Sequence, residues 1–259
     1  MHYSPELAKS LVRDYAVVED ELQYLLLDVV RAGDATTSQR AREHLVQGAG
    51  RRLKTIRRCL HNVFKLFPPG SQVPIQADLI EDTQISLHAF VINIYGLFEN
   101  LAWSFVLHHD LETKIGDRRN IGIFLNRTQK YMPVELRQYV TSTTITTWHA
   151  EYLKKYRDSL AHRIPLYIPP ATFTPEEGEQ YNRLERGKID AIRNQEWQRL
   201  EEIYQEQATL GKPCAIFLHL HSDSDEYQSP VYLHPQMLCD VKTVLEFCKI
   251  FFANWQRSA

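Results

Sequence analysis

Residues that can donate and accept protons during cleavage of a phosphate ester lie close together between Arg157 and His162. The sequence of this segment is Arg-Asp-Ser-Leu-Ala-His. The imidazole of His162 can give or take a proton near neutral pH. The guanidinium of Arg157 can stabilise a charged phosphorane through two hydrogen bonds. Asp158 lies four residues before His162, on the same face of a helix, where its carboxylate can set the imidazole tautomer.

The spacing of Arg157 and His162 imposes a geometric condition on this chemistry. Residues five apart point about 140° away from each other in an ideal helix, so the two side chains share a site only where the helix unwinds. Three prolines follow between residues 165 and 170, and the residue before a proline is disfavoured in a helix. We therefore expect the helix to unwind near Ala161.

Acid–base cleavage of RNA by its own 2′-hydroxyl needs both a base for that hydroxyl and an acid for the leaving 5′-oxygen. The sequence shows no second convincing histidine near the segment, whereas a symmetric dimer brings two copies of His162 together. We therefore expect a homodimer. The alternative is purely structural: Arg157 and Asp158 form surface ion pairs, and His162 caps the end of its helix.

The segment resembles the R-x(4–6)-H motif of the HEPN superfamily, in which Asp, Asn or His commonly follows the arginine, as Asp158 does here. The expected position at a helix end, after a buried helix, strengthens the resemblance. It covers about residues 76–165, and the two N-terminal helices can complete the bundle. Residues 172–259 are not explained by it.

This resemblance implies a small helical bundle, and catalytic members of the family are metal-independent endoribonucleases that act as dimers with two motifs facing one cleft. In that case Arg157 is the transition-state clamp, His162 the acid or base, and Asp158 its orienting residue. Such proteins are often toxins or effectors of bacterial antiphage or stress systems, held off by an antitoxin or regulatory protein. The alternatives are a non-catalytic protein- or nucleotide-binding module of the same fold and a helical scaffold unrelated to the family.

The first two thirds of the chain predict four helices that position this segment. Ser4 and Pro5 begin a helix that ends near Gly33, and a capping box of Thr36 and Gln39 begins a second one, to about Phe67. The third runs from about 82 to 109 and is apolar nearly all round, as expected of the central buried helix. The fourth spans about 144–161.

The remaining chain predicts an extension of about 172–259 on a single HEPN-like domain of residues 1–259. Thr174 and Pro175 begin one long helix to about Leu210 with a narrow apolar stripe, so it is exposed or packs on a partner. Alternating residues in 213–221 and 230–233 predict a short β-hairpin, and a final helix follows from about 236 to 255. The predicted fold is mainly α, an antiparallel helical bundle.

Two polar residues inside the third helix, Glu99 and Asn100, need partners if they are buried. Arg157 on the neighbouring helix is the natural partner, and Glu99 would then orient or neutralise it at the floor of the site. The alternative is a generic hydrogen bond between helices.

The second helix is strongly basic, with Glu43 as its only acid over residues 40–65. Its cations and those near the motif can form an RNA-binding track, for which we select Arg51, Arg52, Lys54, Arg58, Lys154, Lys155 and Arg163. The alternative is an ordinary solvated charged face. The helix after Thr174 carries nine acids and five bases over residues 174–207, so it can screen the site, repel RNA or dock on a basic partner.

The sequence offers little support for a metal or another cofactor, and none is expected. His219, His221 and Asp223 could conceivably hold a metal from one strand, with His234 nearby, but alternating strand histidines are more often surface residues. The four cysteines fit no zinc template and are interpreted as small buried hydrophobes in a reducing compartment.

Charge and hydropathy narrow the function classes further. The formal net charge is −2, so contact with nucleic acid requires a local patch rather than bulk attraction. The N-terminus does not read as a secretory signal, and the longest apolar runs are too short to span a bilayer. We therefore expect a cytoplasmic protein that binds RNA and does not enter a membrane.

Overall fold

The central helix of the structure is α4 (Ala77–His108), as its nearly uniform apolar sequence predicts. The computed structural model describes residues 2–219 and 230–258. By length and composition α4 could cross a membrane, with a mean hydropathy of 1.4 over its most apolar window, but 61% of that window is buried inside the protein. It has the burial expected of the core helix of a soluble bundle, and the predicted mainly-α class is confirmed.

The N-terminal helices pack around α4. The first is α1 (Pro5–Ala35), and the second runs without interruption through α2 (Gln39–Arg42), a π-helical segment (Glu43–Ala49) and α3 (Gly50–Leu66). Both α2 and α3 pack directly on α4, whereas α1 packs on α3 and on the C-terminal helix α12 (Leu233–Ala253). One continuous core joins these helices.

The start of the first helix is as predicted and that of the second is not. The Ser4 side chain accepts a hydrogen bond from the backbone N–H of Leu7 and Pro5 opens α1. The predicted capping box of Thr36 and Gln39 is wrong, because Ser38 caps α2 by accepting from Ala41. Thr36 instead ends α1 and hydrogen-bonds the Nδ1 atom of His108, a tertiary contact that local sequence does not reveal.

Residues between α4 and the motif form short elements rather than a long loop. They are α5 (Glu112–Ile115), a 3-10 turn (Arg118–Asn120), α6 (Asn126–Gln129), α7 (Val134–Val140) and α8 (Thr143–Thr147). A second π-helical segment (Trp148–Leu153) then leads directly into α9 (Lys154–His162), which packs on α4. The predicted fourth helix, 144–161, therefore exists but changes its helical type halfway along.

The single long helix predicted from Thr174 to Leu210 is wrong. The Thr174 capping box is present, but the chain forms two antiparallel helices, α10 (Pro175–Asn194) and α11 (Trp197–Ala208). Gln195 between them adopts a left-handed conformation with φ 59°, which ends α10. The turn lets Leu184 and Ala191 bury against Ile203 in a small core of their own, separate from the main one.

Short strands connect this α10–α11 hairpin to the body. Strand β1 (Ala171–Thr172) pairs antiparallel with β2 (Lys212–Pro213), directly at the two ends of the hairpin. Strand β3 (Ile216–Phe217) pairs antiparallel with β4 (Val231–Tyr232), so the predicted β-hairpin is present in its described part. The residues between them, 220–229, are outside the described ones.

Removing the α10–α11 hairpin is expected to leave the rest of the protein folded. Replacing residues 173–211 with Asn-Gly joins Thr172 to Lys212, its partner across the β1–β2 ladder, through the turn that such a two-residue connection favours. Because the deleted core is separate from the main one, we expect the midpoint of thermal unfolding to change by less than about 4 °C. A shortened protein that does not unfold cooperatively would contradict this division.

The cysteine prediction needs one correction. Cys59, Cys214 and Cys248 are buried as expected, but Cys239 is exposed on α12. It lies in a groove of about 1050 Å³ between α1 and α12.

Candidate active site around Glu99 and Arg157

Arg157 and His162 lie on opposite sides of α9. A buried stripe separates the two side chains, and it consists of Tyr156 and Ser159 on α9 with Leu153 at the end of the preceding π-helical segment. The expected unwinding near Ala161 does not occur: α9 continues through His162, and only Arg163 becomes extended, with φ −139° and ψ −152°. The proline at 165 therefore ends the helix too late to turn His162 towards Arg157 of the same chain.

Arg157 is held in place by several groups. Its guanidinium carbon lies 4.1 Å from the centre of the Tyr95 ring, and its Nη1 atom lies 2.7 Å from Oδ1 of Asp158. Its side chain is 28% exposed, so solvent and ligands can still reach it. Asp158, which the sequence assigns to orient His162, thus pairs with Arg157, whereas His162 is exposed.

Glu99 lies between two arginines from different helices. Burial raises the pKa of the Glu99 carboxyl, and the positive charges of Arg157 and Arg52 oppose that rise. Arg157 thus acts on Glu99 through its charge, although among the described residues its ion pair is with Asp158 and not with Glu99. Arg52 from α3, which was assigned only to RNA binding, acts on Glu99 in the same way. We call Arg52, Asn93, Glu99, Asn100 and Arg157 the Glu99 cluster.

Arg52 is turned inwards rather than towards solvent. Its Nε atom donates to Oδ1 of Asn100 over 2.8 Å, and its Nη1 atom donates to Oδ1 of Asn93 over 3.2 Å. Asn100 therefore accepts a hydrogen bond from Arg52 and not from Arg157. The amide of Asn100 also lies 3.4 Å from Nδ1 of His44, in the first π-helical segment.

Two glycines make room for the Glu99 cluster. A Cβ atom at Gly96 would lie 2.3 Å from the guanidinium carbon of Arg52, and one at Gly48 would lie 2.6 Å from the Asn100 side chain. Real side chains do not approach this closely, so any larger residue at either position would push Arg52 or Asn100 out of place. Gly48 and Gly96 are therefore the positions that admit these polar side chains between the second helix and α4.

A second histidine, which the sequence did not single out, belongs to the same region. His149 lies in the second π-helical segment, and its ring stacks on Phe124 with centroids 3.8 Å apart and planes 17° apart. Its ring is also roughly parallel to Tyr95, the residue on which Arg157 packs, with centroids 6.1 Å apart. Burial, with the nearby charges of Lys154 and Arg157, lowers the pKa of His149 to about 4. Its imidazole is therefore neutral at pH 7.

The C-terminal extension contacts the buried face of α9. The buried Oγ of Ser159 lies 2.8 Å from Nε2 of His219, just after β3. His219 is thus a buried tether, not the strand-surface ligand considered above, and its candidate partners His221 and Asp223 are outside the described residues. His234 is buried too, with its Nε2 atom 2.8 Å from the carbonyl oxygen of Phe67. Within residues 2–219 and 230–258 no cluster of three ligating side chains could hold a metal.

The selected cations differ in their exposure. Arg51, Lys54 and Arg58 are exposed and fall within 60° of one another around α3, on the face opposite its buried residues. Lys154 and Arg163 are exposed as well, and half-buried Lys155 pairs with Glu151. Five of the seven selected cations are therefore exposed, whereas Arg52 belongs to the Glu99 cluster.

The comparisons with known proteins add nothing to this geometry. No family model, no curated protein and no solved structure matches the chain. The function must therefore be argued from the arrangement of the residues themselves.

Proposed function

We propose that the protein is a metal-independent endoribonuclease of the HEPN type. The observation that supports this most is the state of Arg157, a permanently charged guanidinium fixed on Tyr95, paired with Asp158 and still 28% exposed. A fixed, partly desolvated cation is what stabilises a phosphorane without needing to rearrange during the reaction.

The divergence of Arg157 and His162 supports a site shared by two chains. Within one helix the buried stripe separates them, so the imidazole of His162 can reach the phosphate held by Arg157 only from a second copy. A two-fold dimer supplies two such pairs, since each contact is repeated by symmetry. In this proposal His162 of the second chain gives the leaving 5′-oxygen its proton.

The surface next to the site suits an RNA backbone. The exposed basic stripe of Arg51, Lys54 and Arg58 is on α3, and Arg52 of the same helix reaches into the Glu99 cluster. Backbone phosphates bound along this stripe would lead towards Arg157, and such binding weakens as salt rises. As a toxin or antiphage effector, the protein would be restrained by an antitoxin or regulatory protein that covers this surface.

The direct test is incubation of the purified protein with total RNA in excess EDTA. We expect fragments that end in a 2′,3′-cyclic phosphate, and we expect them to disappear with His162→Ala. Cleavage that needs a divalent metal, or that persists in both the Arg157→Ala and His162→Ala variants, would contradict the mechanism. A protein that binds RNA but never cleaves it would favour the non-catalytic module.

A further inference from the structure

We propose that His149 is a catalytic residue that acts in the same chain as Arg157 and takes the proton from the attacking 2′-hydroxyl of RNA. This inference rests on the proposed ribonuclease function. Each site then uses two different histidines, His149 and His162, rather than two copies of His162. His149 would act beside Arg157, and His162 would come from the second chain.

His149 and Arg157 both lie near the ring of Tyr95. The Tyr95 ring joins the two groups, with the guanidinium carbon of Arg157 4.1 Å from its centre and the His149 ring 6.1 Å away. The charge of Arg157 is also among the causes that lower the pKa of His149, after burial and the charge of Lys154. The guanidinium carbon and the centre of the His149 ring therefore lie at most about 10 Å apart, a span that a phosphodiester bound at Arg157 can bridge.

The His149 ring is held firmly but keeps its hydrogen-bonding capacity. Stacking on Phe124 fixes one face, and the Phe124 loop is itself tied by Gln129, which donates to the carbonyl oxygen of Ile123 over 3.2 Å. Across residues 2–219 and 230–258, neither ring nitrogen of His149 has a hydrogen-bond partner. A half-buried imidazole without a partner is available to a ligand.

The local backbone geometry also favours a functional role for His149. His149 lies in a π-helical segment, and such segments are rare and frequently mark functional sites because they shift one side chain out of the helical register. The preceding residue, Trp148, is anchored by its Nε1 atom, which donates to Oδ1 of buried Asp240 over 2.8 Å. This hydrogen bond thus ties the π-helical segment that carries His149 to the buried core.

The protonation state suits a base. The charges that face His149 are those of Lys154 and Arg157, while Phe124 and Tyr95 pack against it without charge at neutral pH. The neutral ring can accept a proton, and the negative charge of a bound phosphodiester would stabilise the imidazolium that results.

The step balances without a cofactor. A neutral ring nitrogen of His149 takes the proton of the 2′-hydroxyl as the O2′–P bond forms and the P–O5′ bond breaks. The 5′-oxygen takes its proton from His162 of the second chain. The products are a 2′,3′-cyclic phosphate and a 5′-hydroxyl, and Arg157 stabilises the phosphorane between them.

The test compares His149→Ala with a matched control, His108→Ala. His108 is also half-buried, stacks on an aromatic ring, Trp255, at 4.3 Å, and has a pKa lowered by burial. We expect His149→Ala to lower the cleavage rate by about 100-fold or more and His108→Ala to leave it unchanged. A His149→Ala protein that melts like the wild type and cleaves at the wild-type rate would overturn the proposal.

Mixed dimers separate the same-chain assignment from the dimer itself. Co-expressed chains carrying Arg157→Ala and His149→Ala leave no intact pair if these residues act in one chain, so activity stays low. Chains carrying Arg157→Ala and His162→Ala should instead restore one site. Restored activity in the first mixture would refute the same-chain assignment.

A binding measurement keeps the inference testable even if the protein cleaves no RNA. The imidazole ¹⁵N signals of His149 can be followed by NMR as a short 2′-O-methyl RNA is added. We expect these signals to shift while those of His108 do not. Unchanged His149 signals in an RNA-bound protein would refute contact with the substrate. A shift without cleavage would overturn the ribonuclease function and with it the proton transfer, and would leave His149 as an RNA-binding residue.

Discussion

Arg157→Ala is expected to lower RNA cleavage by about 100- to 1,000-fold, the usual effect of removing one fixed donor from a charged transition state. The substitution also removes the stacking on Tyr95 and the ion pair with Asp158. These partly exposed contacts contribute about 1 kcal/mol to the free energy of unfolding, so the variant should remain folded at assay temperature. Single-turnover cleavage of a defined RNA measures the effect.

Arg157→Lys is the informative companion variant. It keeps the positive charge near Glu99 but loses the planar fork that can bind two phosphate oxygens. We expect intermediate activity, with RNA affinity closer to the wild type than the cleavage rate is. If Arg157→Ala cleaves as fast as the wild type, Arg157 is only a structural contact of Tyr95 and Asp158.

Asp240→Asn is expected to make the protein more stable at alkaline pH. Asp240 is fully buried, and burial raises the pKa of its carboxyl from 3.8 to about 7. The neutral carboxyl therefore contributes fully to the free energy of unfolding below pH 4, and this contribution is lost as pH rises through 7. Above pH 7 the loss in the free energy of unfolding approaches about 4 kcal/mol, because each unit of difference between the folded and unfolded pKa corresponds to about 1.4 kcal/mol. An asparagine cannot ionise and avoids this loss.

The two hydrogen bonds at Asp240 explain why asparagine suits this position. Trp148 and Gln236 both donate to the same Oδ1 atom, which an asparagine oxygen can replace. Urea unfolding of both proteins between pH 4 and 9 should show a stability difference that grows with pH, and exposed Asp20→Asn is the control. A constant difference would show that Asp240 ionises with an ordinary pKa. Cleavage should survive Asp240→Asn, because Trp148 keeps its anchor.

The local sequence was sufficient for most helices but not for their interruptions. Apolar periodicity identified α1 and α12, since the buried stripe of a helix recurs every three to four residues, and the nearly uniform apolar sequence identified α4. The break at Gln195 carried no glycine or proline, and burial of Ile203 against Leu184 decided it. The π-helical segments likewise left no mark in the sequence.

For the candidate site, the sequence determined which residues have suitable chemistry: Arg157, Asp158 and His162, with Glu99 as a polar group in an apolar helix. The tertiary structure decided which of them meet. It separated Arg157 from His162 across α9 and brought Arg52 to Glu99. It also placed His149 beside Tyr95. The physical reason is that helix periodicity fixes only the direction of a side chain, whereas its neighbours depend on how closely distant helices approach. Here two glycines and a displaced helical turn set that approach.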